Sequence, residues 1–125
     1  MNIAAFAKRC GLSAHTLRYY ERIGLLGGVT RQANGHRSFG PRDVEWVEFL
    51  QRLRSTGMSI ADMLRYAELR GRGDATLAEC KAMLERHAEQ LAAGLRMQQA
   101  HLRAVRQKIA VYDTLIDEAT TSLVP

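Results

Sequence analysis

At 125 residues the chain is one ordinary domain, or one lobe with an extension, which leaves no room for a separate catalytic domain of usual size. Its net charge of +5 is unevenly placed: residues 1 to 75 hold twelve Lys and Arg against seven Asp and Glu, and residues 76 to 125 hold six against six. A localised basic surface releases counterions from a polyphosphate, so nucleic acid is the first partner to consider, although charge alone also fits an acidic protein or membrane surface.

No stretch approaches the ~20 apolar residues of a membrane span, and Met1 leads into an amphipathic segment rather than a signal-peptide pattern. Cys10 and Cys80 are too few for a disulfide framework and have no partners at metal-finger spacing. The expectation is a cytoplasmic protein with reduced thiols, no membrane partner, no bound metal and no cofactor.

Along the chain, Ile3, Phe6 and Ala7 recur at helical spacing and stop at Cys10-Gly11, where glycine can take the left-handed conformation that closes a helix. Ser13 can then cap a second helix running to about Arg22. Two short helices joined by a glycine-containing turn form the helix-turn-helix pattern. Gly27 and Gly28 break the next run, and Asn34-Gly35, the strongest short hairpin signal, sits between stretches containing Val29, Thr30, Ser38 and Phe39. Pro41 suits the first turn of a third helix, with Val44, Val47, Phe49, Leu50 and Leu53 on its apolar side and Gly57 at its end. Ser59 caps a fourth helix carrying Ile60, Met63, Leu64 and Ala67.

The predicted fold is mainly α: a winged helix-turn-helix of four helices plus a small β-hairpin over 1–70, a hinge over 71–75, a long coiled-coil dimerisation helix over 76–118, and a short tail over 119–125. In the long helix a mostly apolar stripe runs from Leu77 through Cys80, Leu84, His87, Leu91, Leu95, Gln98, Leu102, Val105, Ile109 and Tyr112 to Ile116, with one stutter beside Gly94. A helix of about 40 residues spans about 60 Å, so most of this stripe cannot be buried within its own chain and calls for a second copy. Leu91, Leu95, Leu102, Val105, Ile109, Tyr112 and Ile116 are the candidate dimer contacts.

Two basic elements follow one another in the first lobe. On the second helix Leu17 and Tyr20 can face the core while Thr16, Arg18, Tyr19 and Arg22 reach a groove or phosphates, since arginine forks guanine edges or phosphate and a tyrosine hydroxyl can bond phosphate. The hairpin adds Arg31, His36 and Arg37, able to grip the backbone beside that helix. Each element also has a plain reading as a solvated helix face or turn, and Arg52 and Arg54 on the third helix either extend the surface or solvate it.

The sequence resembles the mercury-resistance-regulator (MerR) family in Ala5-Phe6-Ala7-Lys8, Gly11-Leu12-Ser13, the run from His15-Thr16-Leu17-Arg18-Tyr19-Tyr20-Glu21-Arg22 to Leu26, Asn34-Gly35-His36-Arg37, and the stretch from Leu53 to Ile60. The resemblance covers about the first 60 residues. It implies a homodimer joined by an antiparallel coiled coil that binds a pseudo-palindromic operator inside a promoter. On receiving an effector such proteins distort and untwist the DNA, acting on RNA polymerase indirectly through the promoter. Thr16, Arg18 and Tyr19 would then lie in or beside the major groove, Tyr20 and Arg37 near phosphates, and His36 at the wing tip; Ser13, His15, Arg22 and Arg31 complete the candidate DNA-binding residues. An aromatic residue usually stands close to His36 in the family, and a proline often near Gly27-Gly28; this chain departs at both places.

The effector is less legible. The thiolate metal site of metal-sensing relatives has no counterpart here, because the tail after Ile116 has neither Cys nor His. Cys80 near a helix start is either a redox or electrophile sensor or a small buried apolar residue, and His87 is either a register-fixing seam residue or a titrating switch. A small ligand would draw on Met58, Met63, Tyr66, Met83, Leu84 and Met97, which are equally core residues. No nucleophile–base pair, phosphate loop or carboxylate dyad suggests an enzyme. The alternatives are an architectural, excisionase-like DNA binder, against which the dedicated dimerising helix argues, and a coiled-coil interaction protein, which leaves the basic lobe unexplained.

Overall fold

A computed structural model of the chain describes residues 1 to 27, 30 to 31 and 37 to 123. In order these form α1 (Ile3–Cys10), α2 (Ala14–Ile23), β1 (Thr30–Arg31), β2 (Arg37–Ser38), α3 (Pro41–Ser55), α4 (Ile60–Gly71), a 3₁₀ turn (Gly73–Thr76) and α5 (Leu77–Ser122). Two compact units divide the chain, Met1–Glu85 and Arg86–Pro125. Among the described residues no helix is long and apolar enough to cross a membrane.

Local chemistry sets the helix boundaries of the first unit. The Asn2 side chain accepts from the Ala5 amide at 2.9 Å, the Ser13 hydroxyl from the Thr16 amide at 3.1 Å, and the Ser59 hydroxyl from the Asp62 amide at 3.1 Å. Each satisfies one amide that a helix start leaves without an intrahelical partner. The caps expected of Ser13 and Ser59 are therefore present; that of Asn2 was not anticipated. At the head of α3, Pro41 occupies the first turn and the Asp43 carboxylate accepts from the Gly40 amide at 2.8 Å. Gly11 (φ 71°) and Gly24 (φ 98°) close α1 and α2 in the left-handed region, which costs glycine little and any other residue more.

Burial then assembles these pieces around α3. Phe6, Val47, Leu50 and Met63 have no exposed surface, and Leu17, Leu25, Leu26, Phe39, Val44 and Leu53 join them in one core. Phe39, expected at the end of the hairpin's second strand, instead leaves the ladder: its ring stacks on Phe6 at 4.3 Å between centroids, and its amide donates to the Met1 carbonyl at 2.8 Å. Trp46, absent from the expected apolar side of α3, is buried and donates its indole N–H to the Leu25 carbonyl at 2.7 Å. That bond fastens the segment leaving α2 to α3.

Between α2 and α3 two-residue strands pair antiparallel, with Thr30 opposite Ser38 and Arg31 opposite Arg37. The Asn34-Gly35 turn on which the wing was read lies outside the described residues. Where a hinge is expected, α4 continues through Gly71, Gly73 turns the chain at φ 76°, and the buried Thr76 hydroxyl donates to the Leu69 carbonyl and, at 3.2 Å, to the Gly73 carbonyl.

The second unit is helix throughout to Ser122. The long helix runs four residues past its expected end at 118 because neither glycine nor proline intervenes before Pro125, and Gly94 is carried inside it. Every residue from Ala93 to Leu123 is exposed.

Because the core is continuous around α3, Phe6→Ala should lower the stability of the first unit by about 3–5 kcal/mol, and Ser59→Ala by about 1 kcal/mol. Urea unfolding followed by the fluorescence of Trp46, the only tryptophan, would measure both. Equal effects of the two substitutions would contradict this ranking.

Candidate nucleic-acid interface

The rotation of α2 decides what it displays. Leu17 and Tyr20 turn into the core, at 1% and 8% exposure. Helical geometry of about 100° per residue then puts His15, Arg18, Tyr19 and Arg22 on the far side. All four are exposed, as is Ser13, and Thr16 is half-buried with its hydroxyl 3.0 Å from that of Ser13.

This face is chemically uniform. The Arg22 guanidinium sits 5.7 Å from the centre of the Tyr19 ring, a contact worth about 0.5–1 kcal/mol at an exposed site. Arg18 and Arg22, four residues apart, repel one another along a free helix and are relieved by an anion lying between them. The amide groups of the first turn and the helix dipole add positive character at the Ser13 end. An exposed face offering two guanidiniums, a phenol, an imidazole and two hydroxyls suits a phosphate backbone and the donor and acceptor edges of bases.

Tyr20, expected both in the core and near phosphates, has its ring in the core. Arg31 and Arg37 are cross-strand partners in the β1–β2 pair, and His36 lies outside the described residues. On α3, Arg52 is exposed, while Arg54 donates to the Met58 carbonyl at 3.4 Å and so closes the α3–α4 turn. Arg9 pairs with Glu48 at 3.2 Å, joining α1 to α3 across an exposed surface, a contact of little energetic weight.

Elsewhere in the first unit, an open groove of ≈ 840 Å³ is lined by Arg42, Glu45, Trp46, Phe49, Tyr66 and Arg70 among others. Trp46 stacks on Tyr66 at 5.9 Å, and the Arg70 guanidinium covers the Trp46 ring at 4.1 Å. Of the residues expected to serve a small ligand, Tyr66 lines this groove, whereas Met58, Met63 and Met83 are buried in the first unit. Leu84 is half-buried and Met97 is exposed in the second unit. Trp46 and Arg70 were missed: Trp46 does keep helical spacing with Leu50 and Leu53, but nothing local links it to Arg70.

Burial pushes the Cys10 thiol up, the Glu48 carboxylate adds to the rise and Arg9 opposes it, so Cys10 is a neutral, buried thiol. Cys80 is half-buried. It is close enough to Tyr66 to act on it: burial pushes the Tyr66 hydroxyl up, a charge on Cys80 adds to the rise, and Arg70 lowers it. His87 is half-buried. Among the described residues no three His, Cys, Asp or Glu side chains gather as metal ligands.

Known proteins share both the sequence and the shape. Residues 1–69 match the model of the MerR HTH family regulatory proteins. The chain is 42% identical over 91 residues to the HTH-type transcriptional regulator AdhR of Bacillus subtilis, covering 73% of this chain and 65% of that one. A crystal structure described as a MerR family transcriptional regulator from Listeria monocytogenes matches with a TM-score of 0.89 at 34% identity, over 98% of this chain and 93% of that one. HiNmlR, a MerR family regulator lacking the sensor domain, solved bound to promoter DNA, matches with a TM-score of 0.81 at 34% identity over 90% of each chain. With its two capped helices, the exposed basic face of α2 and this agreement along nearly its whole length, the chain belongs to the MerR family of helix-turn-helix regulators.

Proposed function

We propose that the protein is a dimeric transcription regulator that binds a pseudo-palindromic promoter operator and activates transcription by distorting the DNA in response to an effector. The observation that carries this reading is the exposed α2 face of His15, Arg18, Tyr19 and Arg22, held outward by buried Leu17 and Tyr20. In it, α2 enters the major groove with Ser13 and Thr16 at its leading end. Arg31, His36 and Arg37 grip the backbone from the hairpin, and Tyr20 and Arg37 neighbour phosphates. Dimerisation through α5 doubles the half-site, and RNA polymerase is affected only through the shape of the promoter. The HiNmlR complex with promoter DNA supports this assignment.

Two effector readings attach to the same lobe. In one, oxidation or alkylation of Cys80 is the signal, supported by its partial exposure beside Tyr66. In the other, a small ligand enters the Trp46–Phe49–Tyr66 groove.

Binding to a promoter fragment from beside the protein's own gene should weaken steeply with salt, because each phosphate contact releases counterion. Arg18→Ala should cost about 1–3 kcal/mol of affinity if it reads a base edge. If instead it touches only phosphate, the salt slope should fall by about one unit with no change in sequence preference. Absence of any sequence-preferring binding would sink the regulator assignment.

Transcription measured beside binding separates the effectors. A response to diamide or an aldehyde that disappears in Cys80→Ser identifies a thiol sensor. An identical response in Cys80→Ser assigns Cys80 to packing and leaves the groove.

A further inference from the structure

We propose that Tyr19 acts on DNA through Arg22: its ring, not its hydroxyl, holds the Arg22 guanidinium in place to clamp a phosphate, which makes Tyr19 a positioning residue. The proposal rests on the DNA-binding reading above and goes beyond it by dividing the work of the two arginines on α2.

The support begins in the core. Tyr20 is 8% exposed, so its ring is fixed by packing. The Tyr19 ring lies 6.2 Å from it, tilted by 45°, within the separation of about 4.5–7 Å at which aromatic pairs attract. Arg22 stands three residues after Tyr19, and helical side chains lean toward the N-terminus, over the turn before their own. Its guanidinium accordingly sits 5.7 Å from the centre of the Tyr19 ring. Contacts thus run from the buried ring to the exposed ring and on to the exposed guanidinium.

Arg18 has no such support. Among the described residues it has neither a ring contact nor a carboxylate partner. Two arginines one turn apart on the same face therefore differ in freedom before any DNA arrives. An arginine that is already held gives up less conformational entropy on binding than one that is free.

Orientation says what the held arginine can do. A guanidinium laid on a ring uses its flat face, while its N–H donors lie in its plane. They stay available to fork two phosphate oxygens. Arg22 belongs to the last turn of α2, about 9 Å along the axis from Thr16. Recognition helices read bases from their N-terminal residues, so with the Ser13 end leading into the groove the last turn faces the sugar–phosphate backbone. A fixed plane of donors suits a phosphate, which is the same at every step of the duplex. Arg18, one turn nearer the leading end and free to turn, is the arginine able to follow a base edge.

Binding of the full-length chain to the promoter fragment beside its own gene, over a series of salt concentrations, tests this division. Arg22→Ala should lower the salt slope by about one unit per half-site, with sequence preference unchanged. Tyr19→Leu should weaken binding about fivefold per half-site at an unchanged slope, because the arginine still reaches its phosphate but must first be ordered. Tyr19→Phe, which offers a cation the same ring face, should restore affinity to within about twofold. In the Arg22→Ala background, Tyr19→Leu should change affinity by less than about twofold. A loss in Tyr19→Phe as large as that in Tyr19→Leu would mean that the hydroxyl bonds the DNA, and would overturn the proposal. So would an undiminished effect of Tyr19→Leu in the Arg22→Ala background, which assigns the ring a DNA contact of its own.

Proton NMR of the free chain gives a second measure that needs no DNA. A ring face beside the guanidinium moves the Arg22 side-chain resonances upfield. The displacement should persist in Tyr19→Phe and vanish in Tyr19→Leu; its absence from the unaltered chain would defeat the arrangement. Urea midpoints read from Trp46 fluorescence should be alike in all variants, since Tyr19 and Arg22 are exposed, and a lowered midpoint in Tyr19→Leu would place its role in folding instead. If the unaltered chain shows no sequence-preferring binding, the regulator reading fails, while the NMR comparison still decides the ring contact.

Discussion

Burial of Leu17 and Tyr20 among Phe6, Val47 and Leu50 fixes how far α2 is rotated about its own axis, and the exposed basic face depends on that angle. The lobe is built to hold it. Val47 and Leu50, without exposed surface, make α3 the centre of the core, and the indole of Trp46 bonds the carbonyl of Leu25 just beyond the end of α2. Closely packed interiors transmit small displacements rather than absorb them. Substitutions in this core can therefore alter the outward face without touching any residue on it.

The second unit follows a different logic. Its helix is made of local hydrogen bonds, and its side chains are exposed along nearly their whole run. Helices gain most of their stability in proteins from packing an apolar face, and within this unit the face has nothing to pack on. The chain is also chemically uneven, with residues 1 to 75 carrying the whole excess of positive charge and residues 76 to 125 none, so attraction to a polyanion is concentrated on the lobe whose surface is rotationally fixed.

Much of this was legible because it is local. Ser13 and Ser59 precede their helices as capping residues should, Gly11 and Gly57 follow theirs, and the Leu17–Tyr20 spacing marks the inward side of α2. What escaped notice depends on residues far apart in the chain. Phe39 alternates correctly for a strand, but stacking on Phe6 takes it into the core. Trp46 keeps helical spacing with Leu50 and Leu53, yet its role rests on Leu25 on one side and Arg70 on the other. The helix expected to end at 118 continues through Ser122; hydroxyls that bond back to preceding carbonyls, as Ser122 does to Glu118 at 2.9 Å, are compatible with helix. The candidate dimer residues could be read from periodicity alone, whereas the groove of Trp46, Phe49 and Tyr66 could not, since it joins α3 to α4.

The glycine stops at either end of the turn–helix segment make α2 an element of fixed length. Gly11 and Gly24 both hold left-handed backbone, with nothing within 4 Å of where a β-carbon would stand, so it is conformation rather than space that keeps them glycine. Between Ser13 and Gly24 the chain has ten helical residues. One residue inserted there would turn everything after it by about 100°, carrying Tyr20 out of the core and an arginine toward it. In α5 the same arithmetic is forgiving, because seven added residues return the stripe to nearly its starting direction. Over evolutionary time, length variation in this chain should therefore be nearly absent from α2 and, where present in α5, should come in whole heptads.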